Sequence, residues 1–260
     1  MSKIVAVFNI KGGVGKTTSA VNLAAVAASR GCKTLLWDMD PQGATSFYLR
    51  VKNKIKGGVS GLANGKHPIT RQIKASDYRH LHVLPADISY RLMDEQIRKA
   101  RQKPSRFIRE ILKPVLDDYD LVIVDCPPQL SETISGLLRV VDLLLVPAIP
   151  TVLSLRTVKQ VQRFTKEKLN APVTMKMFFN QIDLRRTMHR DIAKKFLFKN
   201  SRFAFQTLIP ASSAIEKMGD QRAPFIHFEP NHKITALYGL LWDEVQETLM
   251  LDIQPGLSLR

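Results

Sequence analysis

Lysine, glycine and hydroxyl residues are concentrated at Lys11-Gly12-Gly13-Val14-Gly15-Lys16-Thr17-Thr18, directly after an apolar β-type run and at the opening of a helical pattern. Glycines at this spacing let successive backbone N–H groups turn inward around phosphate oxygens, and a helix N-terminus aimed at the same point favours the anion. Lys16 then neutralises the β- and γ-phosphates of a nucleotide, and the Thr17 hydroxyl ligates Mg²⁺. The general pattern G-x-x-x-x-G-K-[ST] is not met strictly, because Ile10 stands at its first glycine and an additional lysine, Lys11, follows. Two further apolar runs end in carboxylates. Asp38 and Asp40 close Leu35-Leu36-Trp37-Asp38-Met39-Asp40-Pro41-Gln42-Gly43 with a period of two, so both can point to one side; the competing reading makes them turn residues ahead of Pro41. Asp125 ends Leu121-Val122-Ile123-Val124, the arrangement that holds Mg²⁺ through water behind a phosphate loop.

Strand candidates at 4–8, 34–37, 81–84, 121–124, 143–146, 173–179 and 206–209 must position these groups. They are near-continuous apolar runs, as in parallel strands buried on both faces. Helical patterns at 16–29, 105–116, 133–140, 154–168, 186–198 and 235–249 alternate with them. The rhythm predicts a doubly wound, mainly parallel twisted α/β sheet with helices on both faces, in which ligands lie beyond the carboxyl ends of the strands. Absence of an internal repeat or low-complexity linker predicts one domain spanning 1–260, with 51–76 its least regular stretch.

Hydrophobic residues make up 45% of the 260 residues and charged residues 24%, which excludes a disordered basic tail protein. The formal net charge of +16 points to an anionic partner. Two cysteines, Cys32 and Cys126, are too few for a disulfide framework or a four-ligand zinc site; each is expected as a small core residue in a reducing cytosol. Neither a signal peptide nor an apolar stretch of ~18–20 residues is present, so no transmembrane segment and a cytoplasmic location are expected.

Residues 11–18 resemble the deviant Walker A motif of the ParA/MinD ATPases, whose hallmark is the second lysine, here Lys11. The resemblance runs from Lys3 to about Glu247 and includes the Asp38–Gly43 segment and Asp125-Cys126-Pro127-Pro128. It implies a P-loop ATPase that binds ATP and Mg²⁺ and forms a nucleotide-sandwich homodimer, with Lys11 reaching the partner subunit's phosphates. Lys11, Lys16 and Asp40 become catalytic: Asp40 orients the attacking water and the metal shell, with Asp38 in support. Asn180, at the close of Phe178-Phe179-Asn180-Gln181, and Pro210, after Leu208-Ile209, are implied in adenine binding; both also read as plain strand terminators.

Relatives in that family bind DNA, membrane, iron–sulfur clusters or cargo adaptors. The chain's last residues, Met250 to Arg260, carry one arginine and a Pro-Gly break, a poor basic amphipathic anchor. No C-x-x-C is present for a cluster, and only three residues precede the first strand where a sequence-reading domain would sit. The expectation is nonspecific DNA binding on the nucleoid, with weak hydrolysis stimulated by a ParB-like or adaptor protein, to segregate or position plasmid, chromosome or protein cargo. The alternative is a MinD-like dimerisation switch at a membrane surface or on an acidic protein. On a helical wheel Arg186, Arg190 and Lys194 share a stripe, while Met188, Ile192 and Phe196 form another that can pack on the sheet. Arg185, Lys195, Lys199 and Arg202 extend the basic surface, which suits phosphate tracking. Many chromosomal relatives carry a DNA-binding arginine just after the Ile-Pro. This chain has Ala211 there, with Lys217 and Arg222 the nearest substitutes. A second run, from Arg98 to Arg109, is a candidate surface for a partner.

Overall fold

Eight strands form one sheet: β1 (Lys3–Val7), β2 (Thr34–Asp38), β3 (Lys74–Ala75), β4 (Leu81–Leu84), β5 (Leu121–Asp125), β6 (Leu143–Ala148), β7 (Thr174–Ile182) and β8 (Ala204–Pro210). The structure, a computed structural model, describes residues 2–169 and 173–251. Strand order is β3-β4-β2-β5-β1-β6-β7-β8, parallel throughout except for the antiparallel β3–β4 pair. Helices of seven or more residues are α1 (Lys16–Ser29), α2 (Met93–Lys99), α3 (Pro104–Leu112), α4 (Glu132–Leu138), α5 (Val152–Phe164), α6 (Thr187–Lys199) and α7 (Lys233–Leu249).

Period-two alternation sends Ile4, Ala6 and Phe8 into one hydrophobic layer and Val5 and Val7 into the other. The first layer holds buried side chains of α2, α3, α4, α5 and α6; the second holds those of α1 and α7. From β1 the chain winds through α1 to β2 on one side and, later, through β6, α5, β7 and α6 to β8 on the other. Right-handed crossovers running in opposite directions place their helices on opposite faces. The switch point therefore lies at the carboxyl end of β1, between β5 and β6, where the phosphate loop begins.

Several elements differ from the sequence expectation. β3, at two residues, is too short to leave a pattern, and α2 was not anticipated; Met93 and Ile97 alone face its core. β7 extends to Ile182, and the helix expected to reach 168 leaves α geometry after Phe164 for a π-helical turn, Thr165–Leu169. In α6 the buried residues are His189 and Ala193, with Ile192 and Phe196 partly buried, whereas Met188 is 46% exposed. Packing through Met188 is thus corrected: it sits in the first turn of α6, and the i, i+4 rows that do pack begin one residue later. The 252–260 tail, on which the expectation of no amphipathic anchor rests, lies outside the described residues.

Candidate functional site

The loop from β1 to α1 has the conformation its glycines permit. Gly13 and Gly15 adopt φ of +72° and +84°, in the left-handed region that costs other residues about 1–2 kcal/mol. A Cβ at Gly13 would meet nothing within 4 Å, whereas one at Gly15 would lie 2.1 Å from the Asn180 amide nitrogen. Open space therefore remains on the inner side of the loop, and α1 starts from Gly15 with no side-chain cap over its first N–H groups. Such an end is a ready anion site. The loop is held from outside. The fully buried Asn9 donates to the Pro147 carbonyl at 2.9 Å and accepts from the Lys11 N–H at 3.0 Å. From β7, Asn180 donates to the Val14 carbonyl at 2.9 Å and Gln181 to the Gly13 carbonyl at 3.0 Å. Val14 is buried, while Gly12 and Gly13 are exposed and Thr17 and Thr18 half-buried.

The two lysines occupy different environments. Lys16 is 8% exposed, and its ammonium donates to the Lys11 carbonyl at 3.2 Å. Burial lowers its pKa, while Asp125 and Asp40 pull it back up. Lys11 is half-buried, and its ammonium has no ion pair among the described residues.

Asp38 and Asp125 end adjacent strands in direct register, both buried. One oxygen of Asp38 accepts from the Ser46 N–H and the Ser46 hydroxyl, each at 2.7 Å; its other oxygen has no partner among the described residues. One oxygen of Asp125 accepts from the Thr45 hydroxyl at 2.8 Å, and its Oδ1 is likewise unpartnered. Burial, followed by the Asp125 charge, pushes the Asp38 carboxyl up to about 8. Burial pushes Asp125 up to about 6, with the Thr17 and Thr45 hydroxyls pulling it down. Asp40 lies past the end of β2, half-buried, and accepts from the Gln42 N–H at 3.0 Å. Among the described residues no three His, Cys, Asp or Glu side chains form a metal cage. Mg²⁺ rarely needs one, taking one or two carboxylates plus waters and substrate phosphates. Two buried carboxylate oxygens without partners, beside a threonine hydroxyl and an open phosphate cradle, are hard oxygen donors that fit such an ion.

Asn9, Thr45, Ser46 and Gln181 escaped the sequence reading. Thr45 and Ser46 follow the Asp38–Gly43 segment on a short helical turn, Ala44–Tyr48. Adjacent hydroxyl residues there were the available signal. Pro210 ends β8 opposite Ile182, next to the Asn180 strand end.

The basic residues fall in separate places. Arg186, Lys194, Lys195, Lys199 and Arg202 are exposed along or beside α6. Arg185 is paired with Asp183 at 3.0 Å, and Arg190 turns back to the Leu184 carbonyl at 3.3 Å. Lys217 and Arg222 flank Met218, which packs in the opposite layer; Arg222 lies over the Phe47 ring at 4.7 Å. In the run from Arg98 to Arg109, Arg98, Lys99 and Arg106 are ion-paired with Glu132, Glu95 and Glu110. No helix among the described residues is long and apolar enough to cross a membrane.

A family model described as an AAA domain matches residues 2–176. The chain is 32% identical over 246 residues to the chromosome-partitioning ATPase Soj of Treponema pallidum, covering 88% of this chain and 91% of that protein. It is 28% identical over 253 residues to the chromosome partitioning protein ParA of Myxococcus xanthus, covering 95% and 89%. Among solved structures, a McdA variant from Cyanothece in complex with ATP matches with a TM-score of 0.80 at 17% identity, over 96% of this chain and 97% of that one. The cell division ATPase MinD of Pyrococcus furiosus matches at 0.77 with 22% identity, over 95% and 99%.

Proposed function

The chain belongs to the ParA/Soj family of partition ATPases, and from that premise we propose that its 260 residues act as one ATPase unit that binds ATP with Mg²⁺ and pairs with a second copy. In that state it holds DNA without sequence preference on the nucleoid, and slow hydrolysis, stimulated by a ParB-like or adaptor protein, releases it. Cargo is thereby segregated or positioned.

Each step has residues suited to it. Loop N–H groups and Lys16 would hold the phosphates, while Thr17 and Asp125 would hold the metal, with Asp38 in support. Bound Mg²⁺ would supply charge neutralisation for phosphoryl transfer to water. Asp40, half-buried and fixed by Gln42, is the carboxylate with solvent access to orient that water. Asn180 and Pro210 lie at neighbouring strand ends beside the loop, where the base would sit.

The division of labour between the two lysines carries the reading. Lys16 is buried against its own loop, while Lys11 is half-buried without an ion pair among the described residues. A cation held in reserve at the edge of a phosphate cradle suits phosphates of a second subunit. Size-exclusion chromatography with light scattering tests this. Wild type should become dimeric with a non-hydrolysable ATP analogue, and Lys11→Ala should stay monomeric while still binding nucleotide. An analogue-loaded dimer in Lys11→Ala removes the argument.

A further inference from the structure

Away from the nucleotide site, five cations converge where the sequence reading saw only irregular chain. Arg50, Lys52, Lys54, Lys56 and Lys74, with Val51 and Ala75, line an open groove of about 450 Å³. All five cations are exposed, and none of the four lysines has an ion pair among the described residues. Among the described residues Asp77 pairs with Arg50 at 3.6 Å.

The groove is built on a fixed backbone. Between the lysines, Ile55 is buried and its N–H donates to Asp87 at 2.9 Å; the Lys56 N–H donates to Gln72 at 2.8 Å. Asp87 and Gln72 are themselves 8% and 4% exposed. Asn53 donates to the Gly43 carbonyl at 3.4 Å, and Arg50 donates to the Gln221 and Arg222 carbonyls at 2.9 and 3.1 Å. Like charges gathered on a pinned backbone repel each other, and among the described residues no ion pair offsets the repulsion between the four lysines. An external polyanion does.

We infer that this groove, rather than the α6 stripe, is the principal surface for the phosphate backbone of duplex DNA. The inference rests on the DNA reading proposed above and locates it. The cations of α6 are strung along a 13-residue helix, about 20 Å. Arg190 on that helix is bonded back to the Leu184 carbonyl, Arg185 just before it is paired with Asp183, and Phe198, 88% exposed, interrupts the row. A bilayer is disfavoured by the groove itself, since stable docking of a basic surface on anionic lipid combines charge with inserted apolar side chains. No large hydrophobic residue is exposed between Phe47 and Ile88 among the described residues. The groove also starts four residues after Ser46, which is bonded to Asp38, so the nucleotide site and the DNA surface share one short segment.

The test uses full-length protein loaded with a non-hydrolysable ATP analogue and a random-sequence duplex, with fluorescence anisotropy at several salt concentrations. Wild type is compared with Lys52→Gln/Lys54→Gln/Lys56→Gln and with Arg186→Gln/Arg190→Gln/Lys194→Gln. ATP-analogue affinity and circular dichroism report that each variant is folded. The groove variant should lose at least ~10-fold in affinity, and its slope of log K against log salt should shallow by about 2–3, near 0.9 per lost phosphate contact. The α6 variant should stay within ~3-fold of wild type. A groove variant that binds like wild type, or loses no more than the α6 variant, overturns the assignment while the DNA reading stands. Failure of the wild type to bind duplex at any salt overturns that reading itself. Sedimentation with phosphatidylglycerol vesicles is the final arm: groove-dependent vesicle binding without duplex binding overturns the choice of partner.

Discussion

Asp38 and Asp125 are carboxylates in a place that disfavours charge. With ordinary values of 3.8 raised to about 8 and about 6, both bind a proton more tightly folded than unfolded. Stability from such groups is complete at low pH and is lost as pH climbs through the folded values. The nucleotide-free protein should therefore melt at a lower temperature near pH 8.5 than near pH 5.5, followed by differential scanning fluorimetry. Asp38→Asn keeps an acceptor for Ser46 but carries no charge, so its decline over that range should be shallower and its midpoint at the higher pH raised by about 2–4 °C. A wild-type midpoint that rises across the range contradicts the burial argument. Lys16, buried next to the pair, is shifted the other way, which makes the site's net charge sensitive to what fills it.

At the scale of elements, the phosphate loop is shaped by contact with β7 as much as by its own glycines. Gly15→Ala adds a methyl group where Asn180 stands, at a φ of +84°. The expected cost is about 2–3 kcal/mol in denaturant unfolding, from left-handed strain plus a displaced hydrogen bond. Removing the obstacle with Asn180→Ala should make the double variant about 1 kcal/mol less costly than the sum of the singles. Strict additivity would mean that the two do not touch. This contact was invisible in the sequence, which showed the loop and strand 165 residues apart (180 − 15). The central strands were legible because each is buried on both faces and so reads as a continuous apolar run. The two-residue β3 left no pattern to read. In α6, apolar residues at 188, 192 and 196 suggested a face, but in its first turn the buried position is His189, so Met188 is exposed. The site shows the same divide. Motif residues announced themselves, whereas Asn9, Thr45 and Ser46 act by reaching groups that only the fold brings near.

For the whole molecule, two hydrophobic layers share one sheet, and each has a fully buried tryptophan: Trp37 in one, Trp242 in the other. If the proposed single unit is right, the layers cannot melt separately. Trp37→Phe and Trp242→Phe should then each give a fluorescence transition that coincides with circular dichroism of the same variant. Midpoints differing by more than about 3 °C between the two probes in one variant would divide the chain into two units. Sixteen net positive charges looked uniform in the composition. In the fold some are cancelled in ion pairs with Glu132, Glu95 and Glu110, while those around Lys54 are left open. The partnerless oxygens of Asp38 and Asp125 have a consequence beyond chemistry. They make the empty protein the least stable form of itself, and whatever occupies the site tightens the fold by mass action. Since proteases act on the opened chain, filling the site should slow its cleavage, and limited proteolysis with and without nucleotide checks this.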